Sequence, residues 1–261
     1  MSDYGNNHGL RRKVRMHRVF ASGGEMETAP AVADTDVSGG RTSGTRVRYL
    51  VWGAGGHGRV VAELIQAVSG KVSAFMDAAA GTLGKVTGFE HAHLIGERSL
   101  LARLRDGGGL PSTCDAVALG IGNNAGRLRC LAALSAADVP PLIHPSAIVS
   151  PSAVLGRGTV VLAGAVVNTG ARLGDGVIVN SRGVVDHDCV LADGVHVAPG
   201  AVLAGGVHVG ARSWVGAGAT VIENLTLGDD VMVGAGAVVI RDVPSNVTVV
   251  GVPASRTLER C

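Results

Sequence analysis

Hydrophobic residues recur every sixth position from Val149 to Val239, without an insertion. All sixteen of these positions, called the anchors below, hold Val or Leu: Val149, Leu155, Val161, Val167, Leu173, Val179, Val185, Leu191, Val197, Leu203, Val209, Val215, Val221, Leu227, Val233 and Val239. The residue four places after each anchor is small or aliphatic throughout. A six-residue period fits neither an amphipathic helix nor a hairpin array, but it is typical of a parallel β-helix.

The physical picture is a triangular coil with three short strands per turn, so that eighteen residues stack on the next eighteen. The anchors point inward and fill a narrow apolar prism, while Gly or Asn supplies the turn backbone. Each strand pairs with its copy one coil above, at roughly 4.8 Å. The pattern therefore predicts an all-β domain of hexapeptide repeats over residues 144–261, a parallel β-helix with a little over five coils.

A different pattern precedes the repeat. The apolar run Arg48–Trp52 leads into the glycine-rich loop 53–58, and residues 59–65 have helical spacing. A second apolar run, Val72–Met76, ends at Asp77 about twenty residues after the loop. Strand, glycine loop and helix in this order are the context in which G-x-G-x-x-G indicates binding of a nucleotide phosphate.

A further strand is predicted at Ala116–Ile121, before Gly122 and a helix over 126–136, and another helix is predicted over 99–105. Together these elements predict a small α/β domain over residues 48–143, with a Rossmann-like parallel sheet. Residues 1–47 lack apolar periodicity, and we expect a disordered tail there; their basic residues are too sparse for a nucleic-acid arm.

Composition and charge narrow the function classes. The 40 glycines among 261 residues and the aromatic content of 3% suit a repeat built from turns and small corners. A formal net charge of +2 gives no electrostatic case for nucleic acid or an anionic membrane as a partner. No apolar run approaches the roughly 20 residues of a membrane span. The four cysteines lack zinc spacing, which predicts reduced thiols in the cytoplasm.

One turn of the repeat carries candidate chemistry. Asp186, His187 and Asp188 follow the anchor Val185, where most other turns hold Gly, Ala, Ser or Asn. An outward-facing His beside a carboxylate is a candidate general base with a pKa near neutrality. The alternative is a solvated turn without catalytic meaning.

Two more histidines, His196 and His208, each stand directly before an anchor. They are twelve residues apart and must lie on different faces of one coil. The gaps of nine and twelve residues between His187, His196 and His208 include no close His-x4-His pair, and we predict no metal site.

Four segments make a resemblance specific: Gly53–Gly58, Ile121–Asn124, His187–Cys189 and Gly251–Ala254, in that order around the repeat. This chain resembles the bacterial hexapeptide-repeat sugar O/N-acetyltransferases, over residues 48 to about 257. The resemblance implies a left-handed β-helix, acetyl-CoA as co-substrate, a nucleotide-activated sugar as acceptor, and homotrimers with active sites in grooves between adjacent prisms. Residues 48–143 would then be the substrate-binding domain.

The resemblance also assigns roles to individual residues. His187 matches the proton acceptor and Asp188 the acid beside it, where family members usually carry Glu. His196 matches a contact to the thioester end of acetyl-CoA, and Gly216 a backbone contact to the pantetheine. The residues that match the nucleotide-sugar pocket are Gly55, Gly56, His57, Asp77 and Gly122. Asp77 is followed by Ala78, where some members have a second acid.

Two other functions remain open from the residues alone. The glycine loop with Asp77 would also suit an NAD-dependent oxidoreductase, although such an enzyme leaves the sixteen repeats without a role. The second alternative is a non-catalytic β-helix binding module, which requires only that His187 have no catalytic role. Within the acetyltransferases, the sequence does not separate transfer to an amino group from transfer to a hydroxyl group.

Overall fold

The structure, a computed structural model, describes residues 46–134, 139–254 and 256–258. The predicted tail, residues 1–47, lies outside the described residues except for its last two positions. In the described part of the chain, no helix is long and apolar enough to cross a membrane.

The first part of the chain alternates strands and helices. Its elements are β1 (Arg48–Trp52), α1 (Gly56–Ala67), β2 (Lys71–Asp77), α2 (Ala80–Leu83), β3 (His93–Gly96), α3 (Glu97–Arg105), β4 (Ala116–Leu119) and α4 (Asn124–Ala132). The four strands form one parallel sheet in the order β3-β2-β1-β4. The predicted small parallel sheet is confirmed, with β3 as a strand that the sequence pattern did not reveal.

Both faces of this sheet are covered, as a parallel sheet requires. Successive residues of β1 point to opposite sides: Tyr49 and Val51 pack in one apolar cluster, Leu50 and Trp52 in the other. Helix α1 covers the first side with the buried hydrophobic residues Val61, Ala62, Leu64 and Ile65. Helices α3 and α4 contribute Leu100 and Leu131 to the second side.

The repeat forms seventeen two-residue strands. They are β5 (Leu142–Ile143), β6 (Ile148–Val149), β7 (Val154–Leu155), β8 (Val160–Val161), β9 (Val166–Val167), β10 (Arg172–Leu173), β11 (Ile178–Val179), β12 (Val184–Val185), β13 (Val190–Leu191), β14 (His196–Val197), β15 (Val202–Leu203), β16 (His208–Val209), β17 (Trp214–Val215), β18 (Thr220–Val221), β19 (Thr226–Leu227), β20 (Met232–Val233) and β21 (Val238–Val239). Two further strands, β22 (Thr248–Val250) and β23 (Arg256–Leu258), follow the repeat.

These strands make the three faces of a prism. The five-stranded face has the order β19-β16-β13-β10-β7, the six-stranded face β21-β18-β15-β12-β9-β6, and the eight-stranded face β23-β22-β20-β17-β14-β11-β8-β5. Neighbouring repeat strands are parallel, and Leu173 pairs with Leu191, eighteen residues later in the sequence. The fold is the predicted left-handed parallel β-helix, in which each coil stacks on the next.

All sixteen anchors are buried, from Val149 at 8% exposure to several at 0%. They form one continuous apolar cluster together with the small corner residues, such as Ala165 and Cys189. Within each strand the residue before the anchor points outward. The sequence period therefore predicted the inward and outward positions correctly.

The prism sheet begins at β5, because Leu142 pairs with Val160 one coil above. This strand lies just before the predicted domain boundary at residue 144. At the other end, β22 extends the eight-stranded face, and β23 then pairs with it in the antiparallel direction.

The α/β part packs directly on the prism. Leu142, Val160 and Leu162 of the first coils belong to the same apolar cluster as α1. On the other side, the side chain of Leu128 in α4 lies against Gly194, where an added Cβ would come within 2.9 Å of it. The helix thus follows the prism corner between the five-stranded and eight-stranded faces, which decides where the glycine loops lie.

Candidate active site

His187 lies on the exposed prism corner between the six-stranded and five-stranded faces, in the turn that joins β12 to β13. Its Nδ1 is 2.9 Å from Oδ2 of Asp188, and both side chains are more than half exposed. Asp188 adopts a left-handed backbone conformation, with φ of 57°. Asp is one of the non-glycine residues that tolerate this conformation, so the turn places its carboxylate beside the preceding imidazole.

A second carboxylate, that of Asp186, accepts hydrogen bonds that hold this turn in place. Oδ1 of Asp186 accepts hydrogen bonds from the backbone N–H of His187 and from Nδ2 of Asn168, both at 2.7 Å. The hydrogen bond to Asp188 raises the pKa of His187, and the charge of Asp186 adds to the effect. The imidazole is therefore a stronger base than an isolated histidine.

Glycines one coil away leave room for both side chains. A Cβ on Gly205 would come within 2.4 Å of Nε2 of His187, and a Cβ on Gly170 equally close to Oδ1 of Asp188. The imidazole lies over Gly205, with Nδ1 held by Asp188. Nε2 is then the ring nitrogen that is left to accept a proton from a substrate.

His196 occupies a different place, on the eight-stranded face and only 3% exposed. Its ring lies 4.1 Å from that of Trp214, between centroids, and its Nε2 is 3.0 Å from Nδ2 of Asn180. Oδ1 of Asn180 accepts from the backbone N–H of Ser181, which fixes the amide so that Nδ2 faces the imidazole. Nε2 of His196 is therefore the acceptor, and in the neutral ring Nδ1 carries the hydrogen.

His57 approaches His196 from the glycine loop, with 6.2 Å between the ring centroids. Burial, together with a smaller effect of the charge of Arg127, lowers the pKa of His57 to about 4 and that of His196 to about 3. Both imidazoles are neutral at pH 7. Nε2 of His57 is buried and has no hydrogen-bond partner among the described residues, so it is a polar atom that a ligand could use.

The glycines of the two loops, 53–58 and 120–122, fall into two kinds: some are enclosed by backbone atoms, and others border open space. A Cβ on Gly58 would come within 1.9 Å of the carbonyl oxygen of Gly53, and one on Gly120 within 2.6 Å of Cα of Gly58. The backbones of the two loops therefore pack directly on each other. In contrast, a Cβ on Gly55, Gly56 or Gly122 would meet nothing within 4 Å.

The carboxylate of Asp77 and the N–H of Gly216 both form hydrogen bonds with backbone groups. The carboxylate of Asp77 accepts hydrogen bonds from the N–H groups of Ala54 and Ala79, each at 2.9 Å, and so ties the glycine loop to the end of β2. The N–H of Gly216 donates to the carbonyl of Val233 at 2.8 Å. A Cβ at Gly216 would lie 2.5 Å from that same oxygen.

The structure thus forms two groups from the residues singled out in the sequence. His57, Gly122 and His196 meet on the eight-stranded face, while His187 and Asp188 lie on the opposite corner of the prism. Their assigned roles stay predictions. The sequence analysis did not single out Arg127, Asn180 or Trp214, which lie near His196. Of these, only Arg127 carried a signal in the sequence, because this cationic residue stands at a position of its helix where the spacing predicts an apolar side chain.

Comparison with known proteins identifies the family. The family model of the PglD N-terminal domain matches residues 48–134, and that of the bacterial transferase hexapeptide repeat matches residues 206–241. The acetyltransferase domain of PglB from Neisseria gonorrhoeae is 43% identical over 81% of this chain and 99% of its own, with a TM-score of 0.72. The chain belongs to the bacterial hexapeptide-repeat sugar acetyltransferases.

Other members of this family are described with their ligands. The gonococcal domain has also been solved with acetyl coenzyme A. A GDP-perosamine N-acetyltransferase variant from Caulobacter crescentus, in complex with CoA and GDP-perosamine, is 37% identical over 84% of this chain and all of its own, with a TM-score of 0.73. UDP-N-acetylbacillosamine N-acetyltransferase of Bacillus subtilis (strain 168) is 40% identical over 116 residues, which span 49% of that protein.

Proposed function

We propose that this protein transfers the acetyl group of acetyl-CoA to an amino group of a nucleotide-linked sugar, with His187 as general base. The observation that carries the proposal is the exposed His187–Asp188 pair, whose Nδ1 is held at 2.9 Å while Nε2 stays available. Relatives named as N-acetyltransferases favour an amine over a hydroxyl acceptor. Their coverage of this chain also favours this reaction over the oxidoreductase and the binding module.

His187 supplies the proton transfer that the reaction needs. A sugar amine is largely protonated at pH 7 and must lose a proton to attack the thioester carbonyl. Nε2 of His187 takes that proton, and Asp188 stabilises the imidazolium that forms. As the amine nitrogen bonds to the acetyl carbon, the C–S bond of the thioester breaks, and coenzyme A leaves as the thiol with the second proton that the amine loses. This service is worth roughly 10²–10⁴-fold in rate. The thiol of Cys189 is buried in the prism core and takes no part.

The prism corner after Gly216 suits a narrow, extended arm such as pantetheine. The turns of three successive coils place Gly200, Gly218 and Gly236 there, and a Cβ at any of them would meet nothing within 4 Å. His196 lies on the adjoining eight-stranded face. We assign acetyl-CoA to this corner, with His196 near its thioester, and the nucleotide sugar to Gly55, Gly56, His57, Asp77 and Gly122.

The site requires a second copy of the chain. In one protomer, His187 and the glycine loops lie on opposite sides of the prism, so a sugar held by His57 does not reach that protomer's own base. The outward positions of the six-stranded face are mostly aliphatic: Ile148, Val166, Val184, Val202, Thr220 and Val238. A homotrimer with this face at its axis brings the His187 corner of one copy to the eight-stranded face of the next.

Replacing His187 by Ala tests the proposed base. We expect kcat to fall about 10²-fold or more, with acetyl-CoA binding and Tm close to wild type, because the side chain is exposed and outside the core. Thiol release from acetyl-CoA, followed with a set of nucleotide-linked amino sugars, provides the assay.

His208→Ala is the matched control, since His208 is an exposed histidine on the five-stranded face. We expect it to keep wild-type turnover. Near-normal kcat for His187→Ala would show that another group is the base. If the wild-type protein acetylated no nucleotide-linked amino sugar, the proposed function itself would be wrong.

A further inference from the structure

Arg127 is fully buried in helix α4, with 0% of its surface exposed. Its guanidinium donates five hydrogen bonds, and every acceptor is neutral: the carbonyl oxygens of Ile121, Gly122, Gly176 and Gly194, and Oδ1 of Asn124. In the described part of the chain no carboxylate pairs with it. A buried cation is costly to desolvate, so this arrangement calls for a functional explanation.

The five acceptors come from two parts of the molecule. Nη1 donates to Ile121 at 3.0 Å and to Gly122 at 3.2 Å, in the loop assigned to the nucleotide sugar. Nε donates to Gly176 at 2.6 Å, and Nη2 to Gly194 at 2.8 Å, in two consecutive turns of the prism corner. One planar group therefore joins the substrate loop to two coils.

The spacing of the coils explains why the residue is an arginine. Gly176 and Gly194 are eighteen residues apart and stack at about the strand separation of 4.8 Å. A guanidinium presents donors in a rigid fork that can reach both carbonyls and the loop at once, whereas a lysine has one nitrogen on a flexible stem. Asn124 continues the series, because its Nδ2 donates to the carbonyl of Arg212 at 2.8 Å, in the next turn.

This attachment reaches the first glycine loop as well. Gly120 precedes the carbonyls that Arg127 binds, and its backbone packs against Gly53 and Gly58. Arg127 is thus linked through the backbone of Gly120 to the loop with His57, which faces His196 on the eight-stranded face.

We propose that Arg127 is a positioning residue that fixes the height of the nucleotide-sugar loops along the prism, so that the bound sugar lies level with the acetyl donor. The inference rests on the proposed function and deepens it. Arg127 touches no substrate itself, and its effect is transmitted through the backbone of residues 120–122.

The test is Arg127→Lys, which keeps the charge and loses the fork. We expect kcat with the nucleotide sugar to fall roughly tenfold or more, because a small misplacement of one bound reactant relative to the other costs at least this much in rate. The KM for acetyl-CoA should stay within about twofold, since that ligand is assigned to the prism. Arg129→Lys is the matched control: Arg129 is exposed on the same helix, and its replacement should change neither constant.

A second readout does not depend on turnover. If the loops shift, His196 becomes exposed, and its pKa rises from about 3 toward the ordinary value of about 6.5. Its charged neighbours are Arg127 and, when protonated, His57, so a variant that keeps the charge at position 127 isolates the effect of exposure. Imidazole NMR should show His196 neutral at pH 5 in the wild type and partly protonated in Arg127→Lys.

The outcomes separate this inference from the proposed function. An unchanged kcat in a folded Arg127→Lys variant overturns the positioning role, even if its Tm falls. If the wild type acetylates no sugar, the proposed function fails. The titration of His196 alone then tests whether Arg127 fixes the position of the loops. If Arg127→Lys does not fold, Asn124→Ala replaces it. A fall in kcat of smaller size then supports the role, and an unchanged kcat contradicts it.

Discussion

His187 and Asp188 owe their arrangement to a single backbone conformation. Because Asp188 has a positive φ of 57°, its carboxylate turns back to Nδ1 of the residue before it. Gly170 and Gly205, one coil to either side, leave the space that both side chains occupy. The proposed base is thus oriented by residues far apart in sequence, although its hydrogen-bond partner is its neighbour.

Asp188→Asn should shift the pH dependence of kcat/KM. Asp188 is the largest cause of the raised pKa of His187, so its neutralisation lowers that pKa. The neutral, active form of the base then persists at lower pH, and we expect the acid limb to move to lower pH with a smaller loss of rate than in His187→Ala. Asn also tolerates a positive φ, so the turn should keep its shape.

A pH–rate profile of both proteins provides the measurement. An acid limb that stays in place, or moves to higher pH, would contradict the role assigned to Asp188.

At the scale of the elements, each two-residue strand contributes one inward and one outward side chain. In β10, Leu173 is 3% exposed in the prism core, and the preceding Arg172 is exposed. The strands are too short to be stable alone, and they are held by pairing with the coils on both sides. The apolar prism is thus the main source of order.

Leu173→Asp should unfold the prism, because it buries an unpaired charge at a cost of several kcal/mol. Arg172→Asp, one residue earlier in the same strand, should fold and keep a Tm near that of the wild type. Circular dichroism melts of the two variants test the assignment of inward positions. A folded, active Leu173→Asp variant would show that the inward phase is wrong.

At the scale of the whole molecule, the proposed reaction requires the two groups of site residues to meet between copies of the chain. The six-stranded face has an outward row of aliphatic side chains, and Val202 lies near its middle, paired with Val184 and Thr220. An apolar face of this length indicates a contact with another protein surface.

Val202→Glu should therefore convert a trimer into a monomer and abolish turnover, because three charges would meet at the axis. His208→Glu, on the five-stranded face, should leave the trimer intact. Light scattering at micromolar concentration reads the oligomeric state. A wild-type monomer, or a Val202→Glu trimer with full activity, would contradict the assembly proposed here.

The sequence by itself determined the elements that a repeated pattern or a short local motif encodes. The six-residue period predicted the prism and all sixteen buried anchors, because each inward position must be apolar whichever coil it belongs to. Strand, glycine loop and helix predicted β1 and α1, and an acid on each side of His187 marked the candidate base. The four-residue strand β3 escaped detection, because its pattern is too short to be told from a loop.

Only the tertiary structure decided which distant residues meet. The packing of α4 on the prism corner placed Arg127 against the turns of Gly176 and Gly194, and brought His57 to His196. Such contacts depend on how two parts of the chain pack on each other, and no local pattern encodes that geometry. For the same physical reason, the burial that keeps His196 neutral appears only once the loop and the eight-stranded face are packed together.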